Sequence, residues 1–492
     1  MKSINIKWEY IALVFIMLFS LILWFNQNVI YPDSATYITV AKNYLKYGEL
    51  FQWVNWPSAT YLPIKEPFTD FAPGLSFLLI PIMYIFKEPV LSAVILQSLI
   101  IIGYNFIIYF TLKTFNFSKT FIIIGMLLFA FLPNFNAVST RFLTEIPFIS
   151  FSLLALALLY KSVQTKTDKY WTYIWCSLFI ASSMKYIGIF NIIIVLLFYL
   201  FYNMKLRKLI ISIIFCALPV VLWFFRNYVL YHFITNSHNL GKKLDIDVFS
   251  NIITKLAAIN PLLNFILLFV ILISFTLLIL PLIGKFKLEN NNKKIYLVFL
   301  ITFITHFLGI IVLNTISKTD ALGMRLLSPS LAFLLLAIIY LFDYYSKLPF
   351  NLKKLRIFIN ICFVLIIALS VLISIRKLEL NFSNLDLPQE KYLWKELNSN
   401  LISVNRPSHY YTEFNLTNQI YGELPMRVIY NEKWINKKLV LKLKTIGHQP
   451  FYLYSNNNVI AIDALDKLVK EGILTKKVYR KYDISLYNYR NQ

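Results

Sequence analysis

The sequence predicts an all-α polytopic membrane protein with a small α/β soluble domain at its C-terminal end, and three observations carry that prediction. First, 58% of the 492 residues are hydrophobic and only 15% are charged, against roughly 45–50% and 25% in a soluble domain. Second, the apolar residues come in blocks of about 17–25 separated by short lysine-bearing loops, which is the spacing of membrane-spanning helices and not the alternation of an outer-membrane barrel. Third, the apolar blocks stop near residue 375, and the rest mixes polar and apolar residues as soluble domains do. Barrel, soluble-enzyme and disordered classes are thereby excluded. The net charge of +24 is not a nucleic-acid signal, because much of the excess lies in short loops beside spans, where a cytoplasmic bias for Lys and Arg is expected. Cys176, Cys216 and Cys362 fall inside apolar stretches and form no secreted-type disulfide framework.

Taken in order, the spans are expected at residues 10–30, 90–112, 120–137, 147–159, 171–184, 186–202, 209–225, 261–284, 295–314, 326–345 and 355–375, about eleven in all. The first is too long for a signal-peptide core and reads as an uncleaved anchor. The block 73–86 is about fourteen residues, too short to cross about 30 Å of hydrocarbon, and carries Pro73 and Pro81. Charge decides its place. If it lies in the interface, Lys2, Lys7, Lys113, Lys119, Lys161, Lys166, Lys169, Lys205, Arg207, Lys208, Lys285, Lys287, Lys293, Lys294, Lys347, Lys353, Lys354 and Arg356 all share the cytoplasmic side; if it spans, those after it flip.

The expected organisation is a multi-pass protein of the plasma (inner) membrane with a cytoplasmic N-terminus. Residues 1–375 form the transmembrane domain, with 31–89 as a first outer loop containing interfacial helices and 226–260 as a second long outer loop. Residues 376–492 form a small extracytoplasmic α/β domain. In it, helix-like segments at 389–401 and 461–471 flank strand-like 451–454, and 482–489 alternates like a closing strand.

Polar residues at the outer ends of spans are the informative ones, since burying them is costly unless they find partners. Asp33 opens the segment Pro32-Asp33-Ser34-Ala35-Thr36-Tyr37, which continues with Ile38, Ala41 and Leu45 at helical spacing and stops at Gly48. This reads as an amphipathic helix on the membrane, so Asp33 is either its N-cap or a catalytic base. Glu145 sits in the very short outer turn Arg141-Phe142-Leu143-Thr144-Glu145-Ile146-Pro147. A salt bridge to Arg141 is the plain alternative for it, yet two carboxylates at one outer surface suit a base or a hard-metal site. No cofactor motif occurs, and a divalent metal at those carboxylates stays open.

Lys185 interrupts an apolar stretch at an outer turn, Arg226 ends the seventh span and Arg325 opens the tenth. Singly each reads as a snorkelling interfacial residue; together they would make an electropositive pocket at headgroup depth, suited to a lipid phosphate or pyrophosphate. Asp245 and Asp247 mark a solvated loop, His232 and His238 stand at no common metal spacing and take no assignment, and Trp53, Trp56, Tyr61, Phe68 and Phe71 most simply form an interfacial aromatic belt, although aromatic side chains also suit a sugar's apolar face.

In the order and common outer placement of its motifs, the chain resembles the type C membrane glycosyltransferases, which include protein O-mannosyltransferases, the lipid A aminoarabinose transferase and related bacterial lipid-sugar transferases. The resemblance spans roughly residues 10–375 and rests on the Pro-Asp-Ser-Ala-Thr-Tyr start of the first outer loop, Phe71-Ala72-Pro73-Gly74-Leu75-Ser76-Phe77, Thr144-Glu145-Ile146-Pro147-Phe148, Lys185-Tyr186-Ile187-Gly188, Arg226-Asn227 and Arg325-Leu326-Leu327-Ser328-Pro329. It implies an inverting transfer on the outer face from a polyprenyl-phosphate-sugar donor to a glycan, lipid or protein acceptor, with membrane lipids around the enzyme and no nucleic acid. Asp33 is then the base-like carboxylate and Glu145 the second outer-loop acid. Lys185, Arg226, Arg325 and Asp70 form the implied substrate and phosphate-binding set. Many relatives carry Asp where Glu145 stands, and the Glu-Lys-Pro string of the aminoarabinose branch is replaced near Asp70, so that branch's substrate does not carry over. The other class weighed is a transporter or flippase of lipid-linked sugars. It is disfavoured because charge is sparse at mid-membrane apart from His306 and a few amides, and no paired broken helices are evident.

Overall fold

A computed structural model describes residues 8–26, 32–52, 66–69, 71–232, 290–316, 324–347, 361, 363–372, 408–412, 426–428, 449–455, 459–479 and 484–489. Among these residues, six helices are long and apolar enough to cross a membrane. They are α1 (Trp8–Phe25), α4 (Pro89–Thr114), α7 (Glu145–Thr165), α10 (Leu206–Tyr231), α11 (Asn290–Ile316) and α12 (Met324–Ser346). The expected span 261–284 lies outside the described residues, and of 355–375 only 361 and 363–372 are described.

Two of the expected spans, 120–137 and 186–202, take a different form. The single span expected at 120–137 is α5 (Lys119–Phe131) followed by α6 (Pro133–Ser139), bent by 61°. Pro133 is the cause, because the residue before a proline is pushed out of the helical region, and Leu132 is extended at φ −53°, ψ 132°. The spans expected at 171–184 and 186–202 are α8 (Trp171–Met184) and a 3-10 turn (Tyr186–Asn191) leading into α9 (Ile192–Tyr202). Lys185 between them is extended, so the chain breaks there. The block at 73–86 is α3 (Gly74–Phe86), whose 13 residues rise only about 20 Å, short of the hydrocarbon thickness.

The chain forms two compact units. The first comprises Met1–Asn26, Thr69–Leu75 and Gln97–Leu380, and the second comprises Gln27–Phe68, Ser76–Leu96 and Asn381–Gln492. In the first unit, α7 packs on α8, α8 on α10 and α11 on α12. Side-chain ties place the lysine-bearing turns at one end of this bundle. Lys113 Nζ lies 5.6 Å from the Tyr10 ring, joining α1 to the end of α4. Lys347 Nζ donates to the Asn116 carbonyl at 3.3 Å, Lys294 Nζ donates to the Phe201 carbonyl at 3.0 Å, and Lys208 pairs with Asp168. The start of α7, the end of α8 and the start of α12 meet at the opposite end.

In the second unit, α2 (Pro32–Tyr47) has Pro at its first helical position, where its missing N–H costs nothing. It ends where Gly48, at φ +72°, donates to the Tyr44 carbonyl at 2.8 Å. Its burial runs by halves and not by faces: Ser34 through Ala41 are all buried, whereas Tyr44, Leu45 and Tyr47 are exposed. Asn43 is also buried, and its amide donates to the Phe51 carbonyl at 2.9 Å. That bond anchors a two-stranded ribbon, β1 (Phe51–Gln52) antiparallel to β2 (Glu66–Pro67). Ser76 Oγ donates to the Tyr37 carbonyl at 3.2 Å.

The later part of this unit holds β3 (Ser408–Thr412), β4 (Met426–Val428), β5 (Gln449–Ser455), β6 (Leu474–Tyr479) and β7 (Ile484–Tyr489), in the order β4-β3-β5-β7-β6. β3 runs parallel to β4 and β5, and the remaining pairs are antiparallel. A helix at Val459–Lys470 packs on β6 and ends at Gly472, which is at φ +72° and donates to the Val469 carbonyl at 2.9 Å. The expected helix at 389–401 lies outside the described residues.

Candidate active site

Three charged side chains from three separate helix ends converge on one point of the helical unit. Glu145 is the first residue of α7, where a carboxylate complements the helix dipole. Its side chain is 1% exposed. Lys185 Nζ donates to Glu145 Oε1 at 2.8 Å, and Arg325 Nε reaches the same oxygen at 3.2 Å. Lys185 and Arg325 keep 17% and 33% of their side chains exposed, so the acid is buried behind two cations that still reach solvent. Glu145 Oε2 is also buried and has no hydrogen-bond partner among the described residues. The cluster carries one negative and two positive charges. It is organised around a buried acid, and the salt bridge to Arg141 weighed from sequence gives way to these two longer-range partners.

Local backbone geometry puts Lys185 there. Its amide still bonds to the Ala181 carbonyl at 3.3 Å, after which the chain leaves the helix and turns back through Gly188, whose amide donates to the Lys185 carbonyl at 2.8 Å. Two glycines permit this packing. A methyl group on Gly188 would stand 2.5 Å from Ser182 Cα, and one on Gly74 would stand 2.5 Å from the Ser183 carbonyl oxygen. Gly74 thus lets the segment entering α3 press against the backbone two residues before Lys185. Tyr186 OH donates to the Thr69 carbonyl at 3.1 Å and holds the same segment from the other side. Neither glycine's role nor the Tyr186 tie was legible from sequence, although the Pro-Gly pair and the lysine interrupting an apolar run drew attention to the right strings.

Arg226 sits near the end of α10, with its guanidinium 4.5 Å from the Trp223 ring and 5.3 Å from the Tyr231 ring. Nη1 donates to Asn227 Oδ1 at 2.8 Å. Phe224, two residues earlier, lies 5.0 Å from the Tyr186 ring, so this helix end is beside the Lys185 turn. Arg226 is not one of the two cations on Glu145. Asp33 lies half-buried in the first turn of α2, in the second unit. Asp70, Asp245, Asp247 and His238 lie outside the described residues. Among the described residues, no group of three or more His, Cys, Asp or Glu side chains gathers.

The dolichyl-phosphate-mannose-protein mannosyltransferase family matches residues 70–231, a segment that contains Glu145, Lys185 and Arg226. No curated protein matches the sequence. The fold is similar to that of ArnT from Cupriavidus metallidurans in the apo state, with a TM-score of 0.53 at 12% identity, covering 97% of this chain and 99% of that one. ArnT from the same organism bound to undecaprenyl phosphate gives 0.52 at 13% identity with the same coverage. Arabinofuranosyltransferase AftD from Mycobacteria gives 0.55 at 11% identity over 100% of this chain, which corresponds to 42% of that larger protein. The family match thus lies across the charged cluster, and the helical fold is similar to those of ArnT and AftD along nearly the whole chain.

Proposed function

We propose that the chain is an inverting transferase that moves a sugar from a polyprenyl-phosphate-linked donor to a lipid, glycan or protein acceptor of the cell envelope on the outer face of the membrane. The observation that carries this reading is the pair of cations held on one oxygen of buried Glu145 at the end of the spans. As the bond from the anomeric carbon to the phosphate oxygen breaks, the carrier phosphate gains a second negative charge. Cations fixed in advance stabilise that charge more than they stabilise the intact donor. In this reading Lys185 and Arg325 hold the phosphate, Glu145 sets their spacing, and Arg226 and Asp70 add contacts to donor or acceptor. Asp33 takes the proton from the acceptor hydroxyl as it attacks. A fellow member of the fold crystallised with undecaprenyl phosphate supports the class of carrier.

The test is a steady-state titration in nanodiscs with a polyprenyl-phosphate sugar. Lys185→Ala and Arg325→Ala should each raise the donor KM about tenfold or more, since a charge-assisted contact to phosphate is lost. Folded variants with unchanged KM and kcat would sink the phosphate reading. Orientation is tested separately: a cysteine at Ser455 should react with an impermeant reagent in intact cells, and one at Asn116 should not, as the positive-inside reading of the lysine loops expects. The reverse pattern would put the Glu145 end in the cytoplasm.

A further inference from the structure

Deep in the helical unit, a chain of neutral polar side chains crosses three elements. His306 on α11, Asn191 at the end of the 3-10 turn and Ser152 on α7 are each fully buried. His306 Nε2 lies 3.2 Å from Asn191 Oδ1, and Asn191 Nδ2 donates to Ser152 Oγ at 2.9 Å. His306 Nδ1 lies 2.9 Å from the Thr302 carbonyl oxygen, which can only accept, so Nδ1 carries a proton. With a neutral ring, Nε2 then accepts; half a turn of the Asn191 amide brings its N–H to Nε2 and its oxygen to the Ser152 hydroxyl, satisfying all three groups. Such groups are expensive in a membrane interior unless paired, so the relay links α7, α11 and the 3-10 turn through bonds that cannot be exchanged for water.

The turn is gripped from other sides as well. Phe190 packs against α11 where residue 309 is glycine, and a methyl there would stand 2.3 Å from its ring. Cys216 Sγ on α10 donates to the Gly188 carbonyl at 3.2 Å. Lys185, the extended residue just before this clamped segment, sends its side chain to Glu145.

We infer that His306 is a positioning residue for Lys185: through Asn191 and Ser152 it fixes the turn that delivers the Lys185 ammonium to Glu145. This rests on the phosphate reading above for its effect on donor binding, but not for its effect on Lys185 itself. Two measurements separate the two. The first is the rate at which a soluble amine-acylating reagent modifies Lys185, read by mass spectrometry in the full-length protein. His306→Leu should raise it severalfold by loosening the pair with Glu145, and His306→Gln, which keeps a hydrogen-bonding group, should restore most of the protection. The second is a double-mutant cycle on donor binding. His306→Leu should weaken binding about fivefold in the wild-type background and less than twofold when Lys185 is already Ala, because residues acting through one contact are not additive.

Unchanged acylation of Lys185 in folded His306→Leu, or equal effects in both backgrounds, would overturn the inference and leave His306 a packing residue. Raised acylation with no effect of Lys185→Ala on donor binding would uphold the positioning role and overturn the phosphate reading instead. Should His306→Leu fail to fold, Ser152→Ala removes one hydroxyl from the same relay and carries the same cycle. Additive behaviour there counts equally against the inference.

Discussion

The two ends of the helical unit each bury a carboxylate beside a lysine, and they differ in how the carboxylate is satisfied. At the lysine-rich end, Asp343 near the end of α12 takes Lys347 Nζ at 2.6 Å, and both its oxygens face the Ser118 amide, at 3.3 and 3.2 Å. Ser118 is the residue just before α5, so Asp343 closes an otherwise open helix start and pins α5 to α12. Every acceptor is used. At the other end, about 27 Å along α12 from Asp343, Glu145 concentrates two cations on one oxygen while the second is buried with no partner among the described residues. One acid is a rivet with both oxygens bonded, and the other is a hub that gathers two cations on a single oxygen. Burial and a lysine neighbour do not separate structure from function; the balance of charge and the completeness of bonding do.

The largest break concerns the acid proposed to do the chemistry. Asp33→Asn should leave insertion and expression intact while slowing transfer by about two orders of magnitude or more, as loss of a general base does. Asn is also an acceptable N-cap, so α2 keeps its start. Near-normal turnover in the purified variant would return Asp33 to a capping role.

The comparison itself is sharpened by changing the two buried acids in parallel. Glu145→Gln keeps the shape but removes the charge that holds Lys185 and Arg325 together, and kcat/KM should fall about 10–100-fold with the folded fraction preserved. Asp343→Ala should behave oppositely, lowering stability by about 1–3 kcal/mol through the unsatisfied Ser118 amide while the kinetic constants of the folded protein stay put. Lys347 is half exposed, so its own ion pair adds little to that figure. Thermal midpoints and steady-state kinetics measured on both variants decide it; a Glu145→Gln protein that is merely unstable would erase the distinction between the ends.

How much of this was legible in the sequence follows from the range of each interaction. Hydropathy located α1, α4, α7, α10, α11 and α12 because a span is a local property of about twenty residues. Lys185 was visible as a cation interrupting an apolar run. Its partner was not, because Glu145 is 40 residues away along the chain, and nothing local marks Arg325 as the other cation on that oxygen. The bend at Pro133 does not show in hydropathy, because the apolar composition continues across it, though proline chemistry alone predicts a break there. The half-by-half burial of α2 also escaped, since periodicity reports which residues share a face and not how far along the helix its neighbours extend.

The smallest expected effect belongs to Arg226, which distinguishes a phosphate contact from an anchor at the site end of the bundle. Its guanidinium already stacks with Trp223 and Tyr231 on its own helix, an arrangement a flat delocalised cation makes better than an ammonium. If Arg226 also contributes to holding the donor phosphate, Arg226→Ala should raise the donor KM severalfold. Arg226→Lys should recover only part of it, roughly a twofold deficit remaining, because the fork that binds two phosphate oxygens at once is gone. An anchor has a different signature: Lys and Arg interchange freely, and Ala lowers the thermal midpoint more than it changes KM. Measuring both quantities on the three proteins separates the cases, and free interchange would confine the phosphate-binding charge to the two cations on Glu145.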